Sequence, residues 1–287
     1  MEAALSRHKD AMGFLETADD TLYAAESVNN LILGIAERLL KYPHTCENPF
    51  FASITDQSGD LVLAAVMTPP HNLILAGGAQ YHKGLPVLIS YLVDHHVEIP
   101  GVIGPKSMVT EFIKFWTMHS NRPIKVAMRQ RVYECQVVTM PSKPPGHFRD
   151  AQHQDIETIA HWLQAFEAEA LGEFNTSDFE RAKRLVQGGF MFLWEVKGDI
   201  VSMAMKTRPT KHAISIGSVY TPPKHRRKGY ATALVAHLTA LLLEYGYQFI
   251  NLFTNLDNPT SNKIYIQIGY RPVCDFQTAR ISQPQDN

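Results

Sequence analysis

SVYTPPKHRRKGYATALVAHL, residues 218–238, decides how this 287-residue chain is read. Five residues able to carry positive charge (Lys224, His225, Arg226, Arg227, Lys228) stand beside Gly229, and an apolar helix begins at once. Ala231, Leu234, Val235, Leu238 and Leu242 recur at helical spacing, and Gly246 supplies a C-terminal stop. The stretch upstream, HAISIGSVY (212–220), reads as a strand whose apolar residues switch from even positions (Ile214, Ile216) to an odd one (Val219). Such a switch at Gly217-Ser218 predicts a β-bulge, which leaves backbone groups unpaired at the strand end. A basic turn between a bulged strand and a helix N-terminus offers free amides and the positive end of the helix dipole. The small residues Gly229 and Ala231 let a phosphate come close.

The turn is not a Walker loop, since Gly229 is followed by Tyr230 and no Gly-Lys-Ser/Thr occurs there, and it lacks G-x-G-x-x-G. Its spacing is Arg226-x-x-Gly229-x-Ala231. Downstream, LFTNLDNPTSNKIYIQIGYRPV (252–273) reads as a buried strand, a short helix with Asn258 as N-cap and Pro259 at its first position, a stop at Gly269 and a final strand. Together the two stretches resemble the GNAT superfamily of acyl-CoA N-acyltransferases, whose pyrophosphate loop reads Gln/Arg-x-x-Gly-x-Gly/Ala and whose later helix carries Asn and Tyr. The resemblance covers about residues 146–280.

The resemblance implies an α/β fold of the α+β kind, with a mixed, mostly antiparallel sheet flanked by helices. It implies acetyl-CoA as cosubstrate and no metal. The strand end at Val219, Tyr220 and Thr221 would pair with the pantetheine arm. Amides from Arg227 through Lys228, Gly229, Tyr230 and Ala231 to Thr232 would hold the pyrophosphate, with Arg226 opening the loop. Asn258 and Asn262 would bind the pantetheine side. Tyr265 matches the family tyrosine placed to protonate the departing thiolate, a role its ordinary pKa near 10 suits. Some members place a glutamate base on the bulged strand. Here that strand reads Ser215-Ile216-Gly217-Ser218, so the base is unassigned, with Glu173 and Glu195 as candidates beside a water-relayed path. No cysteine lies within either signature, in keeping with direct attack of an amine on the thioester.

The pattern repeats upstream. GDLVLAAVMTPP from Gly59 parallels GDIVSMAMKTRP from Gly198, and HKGLPVLISYL from His82 parallels RKGYATALVAHL from Arg227. The order is preserved, which predicts an internal duplication. In the first copy Gly84 stands for Gly229, Tyr81 for Arg226, and Pro86 for Ala231, which removes an amide. GVIGPKSMVTEFIKFW, from Gly101, reads as an apolar helix where the second copy has its Asn and Tyr. The expected organisation is a degenerate GNAT-like domain over 1–139, a Pro-rich linker at 140–147, and a catalytic domain over 148–287. The first is expected to bind no CoA and to shape the acceptor cleft or complete the sheet.

Composition sets further bounds. Lys and Arg number 27 against 28 Asp and Glu, so nothing global favours a nucleic-acid partner. No apolar run is long enough for a membrane span, and the N-terminus lacks a signal-peptide core. Cys46, Cys135 and Cys274 are too scattered for a disulfide framework or a zinc site, which favours the cytoplasm. The 13 histidines include one adjacent pair, His95-His96, and read as surface residues. The expected partner is a small-molecule amine, and the expected state a monomer or homodimer. From Ala151 to Glu180 there is no Lys or Arg, but Asp155, Glu157, Glu167, Glu169, Glu173, Asp178 and Glu180 occur. An acidic wall there favours a cationic acceptor such as a polyamine or amino sugar, unless the residues form a solvated helix face. Two rivals stand beside the enzyme: a non-catalytic acetyl-CoA sensor, and an RNA-interacting protein using residues 224–228.

Overall fold

The computed structural model describes residues 3–172 and 179–282. It divides into two compact units, Met1–Val132 with the segment from Val273, and Tyr133–Pro272. The first unit follows the chain through β1 (Ala4–His8), α1 (Ala11–Tyr23), α2 (Glu26–Lys41), β2 (Phe50–Thr55), β3 (Leu61–Met67), β4 (Leu73–Ala76), α3 (Leu85–Asp94), β5 (Gly101–Pro105), α4 (Lys106–His119) and β6 (Ile124–Cys135). The second repeats that succession as β7 (His147–Asp150), α5 (Ile156–Leu171), α6 (Phe179–Gln187), β8 (Met191–Val196), β9 (Asp199–Thr207), β10 (Ala213–Tyr220), α7 (Tyr230–Glu244), β11 (Phe249–Asn255), α8 (Pro259–Gln267) and β12 (Arg271–Ile281).

The duplication read from the sequence is therefore present in the order of elements. Both copies of the Gly-Asp pattern stand at hairpin turns, between β2 and β3 and between β8 and β9. Lys197 and Gly198 carry the left-handed φ values (53° and 87°), and Asp199 already pairs with Val196. Both copies also place a parallel strand pair beside the helix that follows the loop. These pairs are β4 with β5 (Leu73↔Val102, Ile74↔Ile103) and β10 with β11 (Ala213↔Phe249 to Ile216↔Leu252).

Two expectations need correction. GVIGP is a strand, β5, and helix α4 starts only at Lys106, so α4 stands where α8 does. The last strand is also not where the boundaries 1–139, 140–147 and 148–287 put it. β12 pairs antiparallel with β5, from Phe276↔Pro105 to Arg280↔Gly101, and the segment from Val273 belongs to the first unit. In return Tyr133–Cys135, the end of β6, belong to the second. A strand's own alternation fixes its faces and not its neighbour, so the sequence pattern left this exchange invisible.

In the second unit β8 shows how the sheet is covered. Successive strand side chains point to opposite faces. Met191 and Leu193 join Ile156, Ile159, Leu163 and Met203 in a core under α5 and α6. Phe192 and Trp194 join Ile214, Ile216, Leu234, Leu238 and Leu252 in a core under α7. Leu234, Val235, Leu238 and Leu242 are fully buried, each contributing about 1.5–3 kcal/mol relative to exposure. Ala231, expected on this face, is half-buried at its margin.

Candidate active site

The predicted bulge lies at the end of β10. Gly217 pairs with Met205 of β9 and Tyr220 with Met203, so three steps on β10 face two on β9. Ser218 takes up the difference in the left-handed region (φ 47°). Ser218 and Val219 have no register partner on β9. On the other side, the parallel ladder with β11 ends at Ile216↔Leu252, although β11 runs on to Asn255. The backbone of Ser218 and Val219 thus faces a gap in which an extended ligand can pair. Ser202 closes the far side, donating to Tyr220 O (3.1 Å) and sharing a hydrogen bond with Thr221 Oγ1 (2.9 Å).

Next comes a 3-10 turn, Pro223–His225, and an exposed arc from Arg226 to Gly229. Arg227 and Gly229 both have positive φ (61° and 80°), and Gly229 is the residue before α7. A Cβ at Gly229 would find nothing nearer than Pro144 at 4.0 Å, so the glycine serves conformation and open approach rather than packing. His225 and Arg226 donate their amides to Pro222 O and Pro223 O, and the first helical acceptor is Gly229 O, bonded by Ala233 N. The amides between, from Arg227 to Thr232, include the first turn of a helix, which has no intrahelical acceptors. This arc can receive an anion by its backbone.

The Arg226 side chain does not reach into the arc. Its Nε donates to Thr221 O (2.8 Å) and its terminal nitrogen to Glu169 Oε2 on α5 (2.6 Å). The bond to Glu169 raises its pKa above the ordinary arginine value. Tyr220 is pinned to the same helix, its ring edge-on to Trp162 at 6.0 Å. Arg226 and Tyr220 therefore brace the loop against α5.

On α8, Asn258 is the N-cap as expected, accepting from Ser261 N (3.1 Å). Asn262 is fully engaged: its amide nitrogen donates to Asn255 O (3.0 Å) and Asn258 O (2.8 Å), and its oxygen accepts from Tyr133 OH (3.0 Å). Both asparagines shape the turn ahead of α8. Tyr133, which the sequence reading missed, lies on β6 and gives no motif signal of its own. Tyr265 is buried between Tyr133 and Tyr270, with ring centroids 6.2 and 6.0 Å away. Burial pushes its phenol up to about 12. Among the described residues no protein group bonds its hydroxyl, so a protonated donor remains available for a ligand atom.

The base candidates fare differently. Glu195 is not a free carboxylate, since it accepts from Arg149 Nε (2.6 Å). Glu173 lies outside the described residues. The acidic stretch is also largely paired by cations from beyond its ends. Asp155 is held by Arg149 (2.7 Å), Glu167 by Arg181, Glu169 by Arg226 (2.6 Å), and Glu180 lies 3.9 Å from Lys183. Asp178 lies outside the described residues, and Glu157 is exposed. Asp155 stands at the N-cap position of α5, but its carboxylate accepts from Gln152 N (2.7 Å), ahead of the helix, and makes no cap bond to α5 itself. In the first unit, Gly84 has an ordinary φ of −86° and is packed, a Cβ there meeting Leu63 Cβ at 2.8 Å. Among the described residues no group of three or more His, Cys, Asp or Glu could hold a metal, and no helix is long and apolar enough to cross a membrane.

A strand splayed by a bulge, an amide-rich glycine turn opening a helix, and a second strand-helix unit bearing a buried tyrosine define the GNAT class of fold. Residues 156–270 match the acetyltransferase (GNAT) family. Solved structures agree over nearly the whole chain. A GCN5-related N-acetyltransferase from Sphaerobacter thermophilus is similar with a TM-score of 0.65 at 16% identity, covering 98% of this chain and 96% of that one. A Drosophila protein gives 0.70 at 11% identity, covering 97% and 98%. A tandem GNAT protein from the clavulanic acid biosynthesis pathway gives 0.56 at 10% identity, covering 99% and 100%. At these identities the likeness is one of fold. The family is one of acyltransferases, and acetyl-CoA is its general acyl donor.

Proposed function

We propose that the chain transfers the acetyl group of acetyl-CoA to a primary amine of a small acceptor, using the second unit. The observation that carries this reading is the joint geometry of the bulge at Ser218-Val219 and the open glycine at 229, a gap and an amide arc in series. A pantetheine arm suits the gap, and a pyrophosphate suits the arc from Arg227 to Thr232. Lys224, Arg227 and Lys228 add positive charge beside three phosphates. Binding at both places holds the thioester where β10 and β11 separate. The free amine attacks the acetyl carbon, and the tetrahedral intermediate collapses with expulsion of the thiolate. Tyr265 supplies the proton to sulfur and regains, through water, the proton that the attacking nitrogen gives up, and its burial keeps it protonated across the working range. No covalent acyl-enzyme is needed, and no side chain is assigned as base.

The first unit is proposed to bind no CoA, because packing around Gly84 and the proline at 86 fill the counterpart of the arc. The three cysteines carry free thiols, which suits a reducing compartment such as the cytoplasm. The pairing of Asp155, Glu167 and Glu169 removes most of the support for a polycationic acceptor. The test incubates full-length protein with acetyl-CoA and a panel of primary amines, following free thiol and product mass. Thiol release that depends on an amine supports the proposal. Acetyl-CoA binding without release on any amine would favour the sensor, and no binding would refute both.

A further inference from the structure

The Pro-rich stretch MPSKPPG (140–146) lies within the second unit, Tyr133–Pro272, and is fixed at both ends. Just before it, Thr139 N donates to Ile268 O behind α8 (3.0 Å), and Val138 packs against the core under α7. At its far end Trp194 Nε1, in that same core, donates to Pro145 O (3.0 Å). Gly146 follows with a φ of 109°, and a Cβ there would collide with Glu195 O, so only glycine fits against β8. The prolines at 144 and 145 restrict the backbone between these anchors. The segment therefore has a fixed course on the α7 face of the sheet, from the end of α8 to the end of β8.

That course passes the amide arc. The ring of Pro144 is the nearest group to the place a Cβ would take at Gly229, with its Cβ and Cγ both 4.0 Å away. On the other face Arg226 ties the start of the arc to Glu169 on α5. The arc is thus bordered from both sides, by α5 through Arg226 and by the linker through Pro144. Lys143 directly precedes that proline, with about 3.8 Å between the two Cα atoms. It is exposed and makes no ion pair among the described residues, whereas the guanidinium of Arg226 is engaged by Glu169.

We infer that this linker is a wall of the donor site, and that the Lys143 ammonium is a ligand for a phosphate group of acetyl-CoA. The inference rests on the acetyl-CoA reading above and deepens it. A pyrophosphate seated on the amides of Arg227 to Thr232 keeps oxygens turned away from the turn, and the 3′-phosphate stands apart from it on the ribose. Both call for positive charge from outside the turn itself. A lysine on a flexible stem, carried by a backbone that is held in place, supplies a point charge there.

The test measures acetyl-CoA affinity by calorimetry on full-length wild type, K143Q, P144S, P144E and K211Q. Lys211 lies in the loop before β10, at the opposite end of that strand from the bulge, and controls for the loss of a charge as such. We expect K143Q to weaken binding about fivefold, by less as salt rises, with K211Q and P144S staying within about twofold of wild type. P144E should weaken binding more than about tenfold, because its carboxylate stands beside the incoming phosphates. Acetyl-dephospho-CoA, which lacks the 3′-phosphate, separates the two sources. A K143Q loss confined to acetyl-CoA assigns Lys143 to the 3′-phosphate, and an equal loss with both ligands assigns it to the pyrophosphate; either supports the inference. K143Q with wild-type affinity overturns it, as does a K211Q that falls as far as K143Q or a P144E that binds like wild type. Wild type that binds neither ligand refutes the donor reading itself, and this inference with it.

Discussion

Arg226 and Glu169 are joined by a 2.6 Å hydrogen bond, tying the turn after β10 to the last turns of α5. Both side chains are largely exposed (39% and 54%), so the pair itself contributes under about 1 kcal/mol to stability. Its consequence is positional. Arg226 also holds Thr221 O, and the two bonds fix the start of the amide arc. The expected result for Glu169→Gln is an unchanged Tm with a several-fold weaker affinity for acetyl-CoA. Calorimetry and thermal denaturation on one preparation would check this, and a lowered Tm with intact affinity would refute it.

Gly229 tests the arc itself. The site has room for a methyl group but φ is +80°, so Gly229→Ala should cost about 1–2 kcal/mol of backbone strain and shift the loop. Gly229→Glu adds a carboxylate beside the incoming pyrophosphate, and the repulsion should abolish measurable acetyl-CoA binding. Calorimetry should rank wild type above alanine above glutamate. An unchanged affinity in the glutamate variant would remove the arc from the binding site.

Much of this was legible from the sequence, for local reasons. The parity switch from Ile216 to Val219 gave the bulge, and Gly229 before an apolar repeat gave the arc, since both are properties of a few consecutive residues. What stayed hidden depends on long-range pairing. Nothing in Arg149, Arg181 or Arg226 marks them as partners of Asp155, Glu167 and Glu169, so a stretch without Lys or Arg read as an acidic wall. The place of β12 beside β5 and the bond from Tyr133 to Asn262 are likewise facts of assembly.

Tyr265→Phe should lower kcat by about 10²–10⁴-fold while leaving acetyl-CoA affinity nearly intact, because the hydroxyl acts when the thiolate departs. A variant with wild-type kcat under rate-limiting chemistry would make the tyrosine structural. Burial also links this residue to alkaline stability. The folded phenol titrates near 12 and the unfolded one near 10, so between these values the native state binds more protons. Its contribution is complete below pH 10 and is lost as pH rises toward 12. The loss of stability over that window should be shallower in Tyr265→Phe, as urea titrations at fixed pH would show.

Arg149 separates a structural glutamate from a catalytic one. Its guanidinium donates to Asp155 and Glu195, and the three side chains are only 16%, 7% and 19% exposed. Burial alone would raise the pKa of Asp155, but the bonds from Arg149 and from Gln152 N hold it below the usual carboxylate value. Removing the shared cation leaves two carboxylates in a poor solvent, so Arg149→Met should cost about 3–5 kcal/mol at neutral pH. Because the folded pKa of Asp155 is depressed, its contribution is present above the unfolded value near 4 and fades as pH falls. Wild type should therefore lose more stability between pH 5 and 3 than Arg149→Met does. If Glu195 belongs to this cluster and not to the reaction, Glu195→Gln should lower Tm while kcat stays within about twofold of wild type. It should also leave the pH profile of kcat unmoved. A large fall in kcat with a shifted acidic limb, at unchanged Tm, would restore Glu195 as the base.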